Sequence, residues 1–317
     1  MSRSEFPNLS RRTVLAGSVA AGVSLAVSPY LSAQEGAKGP LLTRAIPSSG
    51  EKIPMVGVGT NNYSPTDEKE RDARRDVLRR MAELGASVID TAPLYGQSET
   101  VLGELIADLS NRPKYFLATK TLPNVGPEQA QSVFEESLRR LKVPSVDLIQ
   151  IHNLAHTDAL MPVLAEWKKA GKVKYIGVTT SVPRAHPEML EAMNKHKMDF
   201  IQVDYSLGNR ASADKVLPLA QQKGIAVLVN VPFGGRRGSV FSQLGDRKLP
   251  DWAAEIGAAS WGQFFLKYVI SHPAVTCVIP GMTKVSHVDD NLGAARGKLP
   301  NAAMRKRMEE FWDAKPT

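Results

Sequence analysis

The chain has 317 residues, 43% hydrophobic and 23% charged, the proportions of a soluble globular protein with length for one large domain or two ordinary ones. Its formal charge of +8 becomes +6 beyond residue 33, because three arginines and one glutamate precede that point. The other basic residues are scattered among acidic ones with no basic run interleaved with aromatics, which argues against a nucleic-acid partner. The single cysteine, Cys277, sits in the apolar run Val275–Ile279 and is expected in the core; it permits neither an internal disulfide nor a cysteine-built metal site.

Residues 1–33 read as a targeting segment, the alternative being an uncleaved, disordered amino terminus. Arg11 and Arg12 stand just before a mildly apolar stretch, Val14 to Val27, which ends at Ser28-Pro29 and the small residues Ser32-Ala33. This resembles a bacterial twin-arginine export signal cleaved near Ala33, which implies a periplasmic or otherwise exported protein that folds and loads any cofactor before crossing. The apolar run is too short and too rich in Gly, Ala and Ser to span a bilayer, so no stable membrane insertion is expected. Residues 34–40 form a polar linker, and 41–317 one domain. Leu41–Ile53 reads as a hairpin turning at Ser48-Ser49-Gly50-Glu51 and plugging one end of the fold.

From there strand and helix patterns alternate. The strands expected are Val56–Val58, Ser87–Ile89, Tyr115–Thr119, Val146–Ile151, Lys174–Val178, Phe200–Val203, Ile225–Val229 and Thr276–Ile279. Helical spacing follows in Val77, Leu78, Met81, Leu84, opened by a capping sequence Ser64-Pro65-Thr66-Asp67 with proline in the first turn. It recurs in Val133, Phe134, Ser137, Leu138, Leu141 and in Leu160, Val163, Leu164, Trp167. Gly85, Gly171 and Gly224 close helices. Met189, Met193 and Met198 are expected to pack rather than to bind. Eight strands, each followed by an amphipathic helix, predict an α/β protein: a (β/α)8 TIM barrel with an N-terminal β-hairpin and C-terminal helices. An open doubly wound sheet is the alternative, but no G-x-G-x-x-G follows an early strand.

A barrel packs its interior, so chemistry belongs at the carboxyl ends of its strands. Asp90, Lys120, His152, Thr179, Thr180, Gln202 and Asn230 stand at such ends, with Tyr95 in the loop after Asp90. Reducing a carbonyl by hydride transfer builds negative charge on oxygen, and an acid must quench it. A phenol beside a lysine cation, itself fixed by a carboxylate, suits that task, and an imidazole can orient the substrate oxygen. The remaining histidines (His156, His186, His196, His272, His287) lack metal-ligand spacing, and no metal is expected.

Asp90-Thr91-Ala92-x-x-Tyr95-Gly96 with Glu99 and Leu102-Gly103, Lys120 after Leu117-Ala118-Thr119, and His152 after Asp147–Ile151 resemble the signature of the aldo-keto reductases. The likeness runs on through Gly177-Val178-Thr179, Ile201–Tyr205, Ile279-Pro280-Gly281 and Asp290-Asn291-Leu292 and covers about residues 41–313. It implies reduction of an aldehyde or ketone, or oxidation of the alcohol, with a nicotinamide cofactor. Tyr95 would be the proton donor, Lys120 and Asp90 its tuning pair, and His152 the carbonyl guide. Asp90 would also border the cofactor. Gly59, Thr60 and Asn61 would touch the nicotinamide half; Thr179, Thr180 and Gln202 the carboxamide; Phe233 and Gly234 the pyrophosphate. The adenosine end would lie along Gly281–Asn291, with Met282, His287 and Asn291.

Three positions depart from that family's pattern. Thr179-Thr180 replaces the usual Ser-Asn, Asn230 stands where many members stack an aromatic on the nicotinamide, and Gly281 and His287 occupy places that often read a 2′-phosphate. NADPH is the expected cofactor, with NADH the alternative. The loops Asn61–Ser64, Asn153–Thr157 and Gly234–Pro250, which would shape the pocket, carry no recognition pattern, and Gly234–Gly238 reads equally as a phosphate cradle or a surface loop. The competing functions are a barrel that holds its cofactor as a sensor and one whose tetrad is vestigial and whose role is partner binding.

Overall fold

The structure, a computed structural model, describes residues 39–235 and 238–314. The expected signal segment and its cleavage point lie outside the described residues, as do Arg236 and Arg237.

The hairpin comes first. β1 (Thr43–Ala45) pairs antiparallel with β2 (Lys52–Pro54), Arg44 opposite Ile53. Eight strands follow: β3 (Val58–Gly59), β4 (Val88–Asp90), β5 (Phe116–Lys120), β6 (Val146–Ile151), β7 (Val173–Thr179), β8 (Phe200–Asp204), β9 (Ala226–Asn230) and β10 (Cys277–Val278). They are parallel neighbours in chain order. Parallel bridges Val56–Val278 and Gly59–Gly281 join the first strand to the last and close the barrel. The backbone bonds at this seam are Gly57 N to Val278 O at 2.8 Å, Val278 N to Met55 O at 2.9 Å and Gly59 N to Pro280 O at 3.0 Å.

The first strand is shorter than its expected span, and its glycines show why. A Cβ on Gly57 would lie 2.6 Å from the Val88 Cβ, and one on Gly59 would lie 2.8 Å from the Ile279 carbonyl oxygen. The chain is squeezed between its neighbours here, and only two residues keep regular pairing.

Strand side chains alternate between two cores. Ile89, Leu117, Ile149, Ile176, Ile201, Val227 and Val229 face outward and join the helices in the larger one. Val88, Phe116, Leu148, Tyr175, Phe200, Leu228 and Cys277 face inward. The hairpin residues Ile46 and Ile53 belong to this inner cluster and plug the amino-terminal end. There the Tyr175 hydroxyl meets Ser49 Oγ and Glu51 Oε2, each at 2.7 Å. Arg44 fastens the hairpin to the chain before β10 through the carbonyls of Ile270 (3.2 Å), His272 (2.8 Å) and Val275.

The helices α1 (Glu68–Leu84), α2 (Ser98–Asp108), α3 (Pro127–Leu141), α4 (Thr157–Lys169), α5 (His186–Lys195), α6 (Val216–Lys223), α7 (Trp261–Ile270) and α8 (Val285–Gly293) ring the barrel, and α9 (Ala302–Asp313) packs outside it. Helix α1 begins later than its capping sequence suggests. Asp67 is the cap, its Oδ1 accepting from Glu70 N at 2.7 Å, while Glu70 reaches back to Thr66 N at 3.0 Å. Pro65 therefore precedes the cap instead of entering the first turn, because the Asp67 carboxylate satisfies the orphan amide. Gly103 lets α2 lie against α3; a Cβ there would sit 2.1 Å from the Arg140 carbonyl oxygen. Met189, Met193 and Cys277 are buried.

Candidate active site

The alternation that buries Phe116 and Leu148 at the bottom of the barrel dictates what faces inward at the top. Two or four residues further on, the same faces present Asp90, Lys120, Gln150, His152, Thr179, Gln202 and Asn230. A period of two thus converts an apolar plug into a polar floor.

The floor is built around Asp90. Lys120 Nζ donates to its Oδ2 at 2.6 Å and to the Thr91 carbonyl at 2.7 Å. Gln202 Nε2 (2.8 Å) and Gln150 Nε2 (3.2 Å) donate to Oδ1. Both charged side chains are almost wholly out of solvent, at 0% and 3% exposure. Burial works against the Lys120 ammonium, but Asp90 and the Tyr95 phenol outweigh it and hold its pKa above the ordinary lysine value. The ammonium lies 5.0 Å from the centre of the Tyr95 ring.

Tyr95 itself is held by its loop. Ser64 Oγ donates to the Tyr95 carbonyl (3.1 Å) and accepts from Gln97 N (2.8 Å). Gly96, at φ +58°, makes room for that hydroxyl, since a Cβ there would lie 2.8 Å from it. His152 meets Tyr95 edge-on, ring centres 5.9 Å apart. Burial, with help from the Lys120 charge, pushes the imidazole pKa down to about 3, so His152 is neutral at ordinary pH. Its Nδ1 is buried and has no partner among the described residues.

Above the floor lies a cleft of about 340 Å³. It collects Gly59, Thr60, Asn61, Asp90, Tyr95, His152, Thr179, Gln202, Asn230, Phe233 and Gly281 from the residues singled out in the sequence. Lys120 lies beneath it. Thr180 does not line it: its carbonyl accepts from Asn230 Nδ2 (2.9 Å), which also donates to Gln202 Oε1 (3.3 Å). Thr179 Oγ1 donates to the same Gln202 oxygen at 3.2 Å. Gly234 opens onto a neighbouring cavity, the buried Met282 accepts Tyr63 Oη on its carbonyl (2.9 Å), Asn291 is buried near Gly262 of α7, and His287 is exposed on α8. Gln150 and Ser181 were not assigned to the site from the sequence, and Asn62 and Asn153 only as parts of loops expected to shape the pocket. Gln150 carried a usable signal: it is polar, in an apolar strand, and two residues before His152 on the same face.

A larger groove of about 630 Å³ runs along α7 and α9. Arg305 in it is engaged by Tyr205 Oη (2.6 Å), Ser271 Oγ (2.7 Å) and the Tyr268 carbonyl, so it serves packing rather than chemistry. Among the described residues no three His, Cys, Asp or Glu side chains gather to hold a metal, and no helix is long and apolar enough to cross a membrane.

A parallel (β/α)8 barrel with an acid–amine pair beneath a tyrosine, and a neutral histidine at its side, defines a carbonyl oxidoreductase site. Comparison with known proteins agrees. The pattern of the aldo/keto reductase family matches residues 55–313, and the chain belongs to that family of nicotinamide-dependent oxidoreductases. The methylglyoxal reductase YeaE of Escherichia coli is 31% identical over 268 residues, 82% of this chain and 92% of that one. The thermostable aldo-keto reductase Tm1743, solved with the inhibitor epalrestat, superimposes with a TM-score of 0.71 at 26% identity, covering 86% of this chain and all of that one. An aldo/keto reductase from Klebsiella pneumoniae, solved with NADP and acetate, gives 0.67 at 24% identity over 84% and 94% of the two chains and speaks to the fold.

Proposed function

We propose that this chain reduces an aldehyde or ketone with NADPH, Tyr95 supplying the proton. The observation that carries the reading is the buried Asp90–Lys120 pair beneath Tyr95, with neutral His152 beside it. The residues present fit a nicotinamide dinucleotide. Glycines at the barrel seam, Gly59 and Gly281, leave room along the cleft floor, and Thr179, Gln202 and Asn230 offer an amide-rich end to a carboxamide. When bound, the cofactor supplies a hydride to the carbonyl carbon. The substrate oxygen then gains the Tyr95 phenolic proton, giving the alcohol; solvent returns the proton to Tyr95. Lys120 beside the phenol stabilises the phenolate left behind, and Asp90 keeps Lys120 charged and aimed. His152, neutral, donates a hydrogen bond to the substrate oxygen without contributing a charge.

Lys284 and the amino end of α8, whose first turn holds no acidic residue, would hold the 2′-phosphate. The name of the Escherichia coli relative, a methylglyoxal reductase, supports carbonyl reduction, and the NADP in the Klebsiella pneumoniae structure supports the choice of cofactor. Titration with NADPH and NADH, beside aldehyde-dependent NADPH oxidation by wild type and Tyr95→Phe, tests the reading. Tight NADPH binding and turnover lost in the variant are expected; binding without turnover would move the function to a sensor.

We also infer export of the folded protein, on the strength of Arg11-Arg12 before Val14–Val27. Arg11→Lys with Arg12→Lys should leave the protein, uncleaved, in the cytoplasmic fraction; unchanged fractionation would refute export by this route.

A further inference from the structure

The cleft has two unlike walls. Val231, Pro232, Phe233 and Ile279, at the ends of β9 and β10, make one of them apolar. The rest of the rim is polar, made by Asn61 and Asn62 after β3, Asn153 after β6 and Ser181 after β7, and forms a second wall with Tyr95 and His152. Tyr95 gives that wall its one phenol, and Leu94, the large apolar side chain next to it, is 56% exposed and does not line the cleft. The side chains of Asn61, Asn62, Asn153 and Ser181 make no hydrogen bond with the described residues, in contrast to Gln150, Gln202 and Asn230 just below. The floor amides are tied down by their nitrogens, those of Gln150 and Gln202 on Asp90 and that of Asn230 on Gln202 and the Thr180 carbonyl, whereas the wall amides are tied to nothing among the described residues.

The backbone adds a second observation. Asn153 sits at φ 54°, ψ 32° and begins a stretch in which Leu154 and His156 also have positive φ, at 59° each. Left-handed conformations at non-glycine residues are strained, and such strain concentrates at functional sites. Asparagine tolerates this region better than most residues, so the loop directly after His152 is bent in a way that keeps an amide at the cleft.

From these features we propose that the substrate is a small hydroxylated carbonyl compound, an aldehyde or ketone bearing hydroxyls on the carbons next to the carbonyl, with Asn62 and Asn153 as the residues that read them. The assignment rests on the reductase reading above. A side-chain amide offers a donor and an acceptor, and a hydroxyl offers the same pair in return. An alkyl or aryl substrate would strip water from these amides and give nothing back, whereas a site built to bond a hydroxyl rejects the analogue lacking it far more strongly than an apolar pocket rejects an added one.

The test compares carbonyls of one skeleton. D-glyceraldehyde and propanal share three carbons and differ in two hydroxyls; benzaldehyde represents the apolar class. NADPH-dependent reduction by the wild type is expected to favour D-glyceraldehyde over propanal at least tenfold in kcat/KM. Asn62→Ala and Asn153→Gly, the latter keeping the left-handed backbone accessible, should each lower the D-glyceraldehyde value about fivefold or more through KM, leaving propanal within about twofold. Equal or better use of propanal or benzaldehyde by wild type would overturn the proposal, as would variants that depress all three substrates alike. Both results would leave the reductase reading standing. Oxidation of NADPH with none of the aldehydes would remove that reading and the substrate assignment with it.

Discussion

Lys120→Met is the perturbation whose consequences follow most directly from the floor of the cleft. Methionine fills a similar volume without the charge. The Asp90 carboxylate would keep the amides of Gln150 and Gln202 but lose a cation 2.6 Å away, at a site 3% exposed. Breaking a buried pair on one side costs about 3–5 kcal/mol, because an uncompensated charge stays behind. With an urea m-value of about 3 kcal/mol/M, the midpoint should fall by about 1 M or more. Asp90→Asn with Lys120→Met removes both charges and should recover most of the loss. The pH dependence fixes the sign. The Lys120 pKa is raised in the folded protein, so its stabilisation is complete below the unfolded lysine value and disappears as the pH rises through the folded one. The gap between wild type and Lys120→Met should therefore be constant from about pH 7 to 9 and narrow above about 10.5. The assay is urea unfolding followed by fluorescence and circular dichroism, with coincident transitions. A single variant within about 1 kcal/mol of wild type, or a double variant less stable than the single, would refute the account of a desolvated pair.

Three further outcomes are expected. His152, held neutral with a pKa of about 3, penalises the folded state once the unfolded imidazole titrates, so stability should decline by up to about 1.4 kcal/mol per pH unit between about pH 6 and 3. His152→Gln should flatten that decline in acid-unfolding curves, and an unchanged slope would contradict the burial. Asn230→Ala removes the donor that ties Gln202 to Thr180 and should weaken NADPH binding about tenfold in a fluorescence titration, near 1.4 kcal/mol, with kcat at saturation changed by less than about threefold; equal affinity would show that Gln202 needs no brace. Gly103→Ala drives a methyl into the Arg140 carbonyl and should cost about 2–3 kcal/mol by forcing α2 from α3, measured as a lower thermal midpoint; an unshifted midpoint would mean that the helices part freely.

The sequence was most readable where period-two alternation and strand ends coincide. Asp90, Lys120 and His152 each lie an even number of residues beyond an inward apolar side chain, so their convergence followed from the strand register. The hairpin was legible from its turn residues, and the helices from their apolar faces. Other features depend on neighbouring strands meeting. Gln150 joins the Asp90 cluster only because β5 alone separates β4 from β6, and Asn230 reaches the Thr180 carbonyl because β7, β8 and β9 lie side by side. Thr180, read as a cleft residue, contributes its backbone instead. The shape of the loop after His152 was hidden for another reason: left-handed Leu154 and His156 contradict local preference and are imposed by the surrounding fold.

The barrel seam carries a consequence for how the molecule comes into being. Gly59 and Gly281, bridged across the closure, both line the cleft, and they are separated by more than two hundred residues of chain. During synthesis the first half of that floor waits, with Arg44 of the hairpin lacking the carbonyls of residues 270–275 that it will grip. A ribosome-bound chain short of β10 has the tyrosine, the lysine and the histidine, yet no complete berth for a dinucleotide. Capture of the cofactor is thereby a signal of closure: it rewards only the chain that has been made past β10 and has closed on itself.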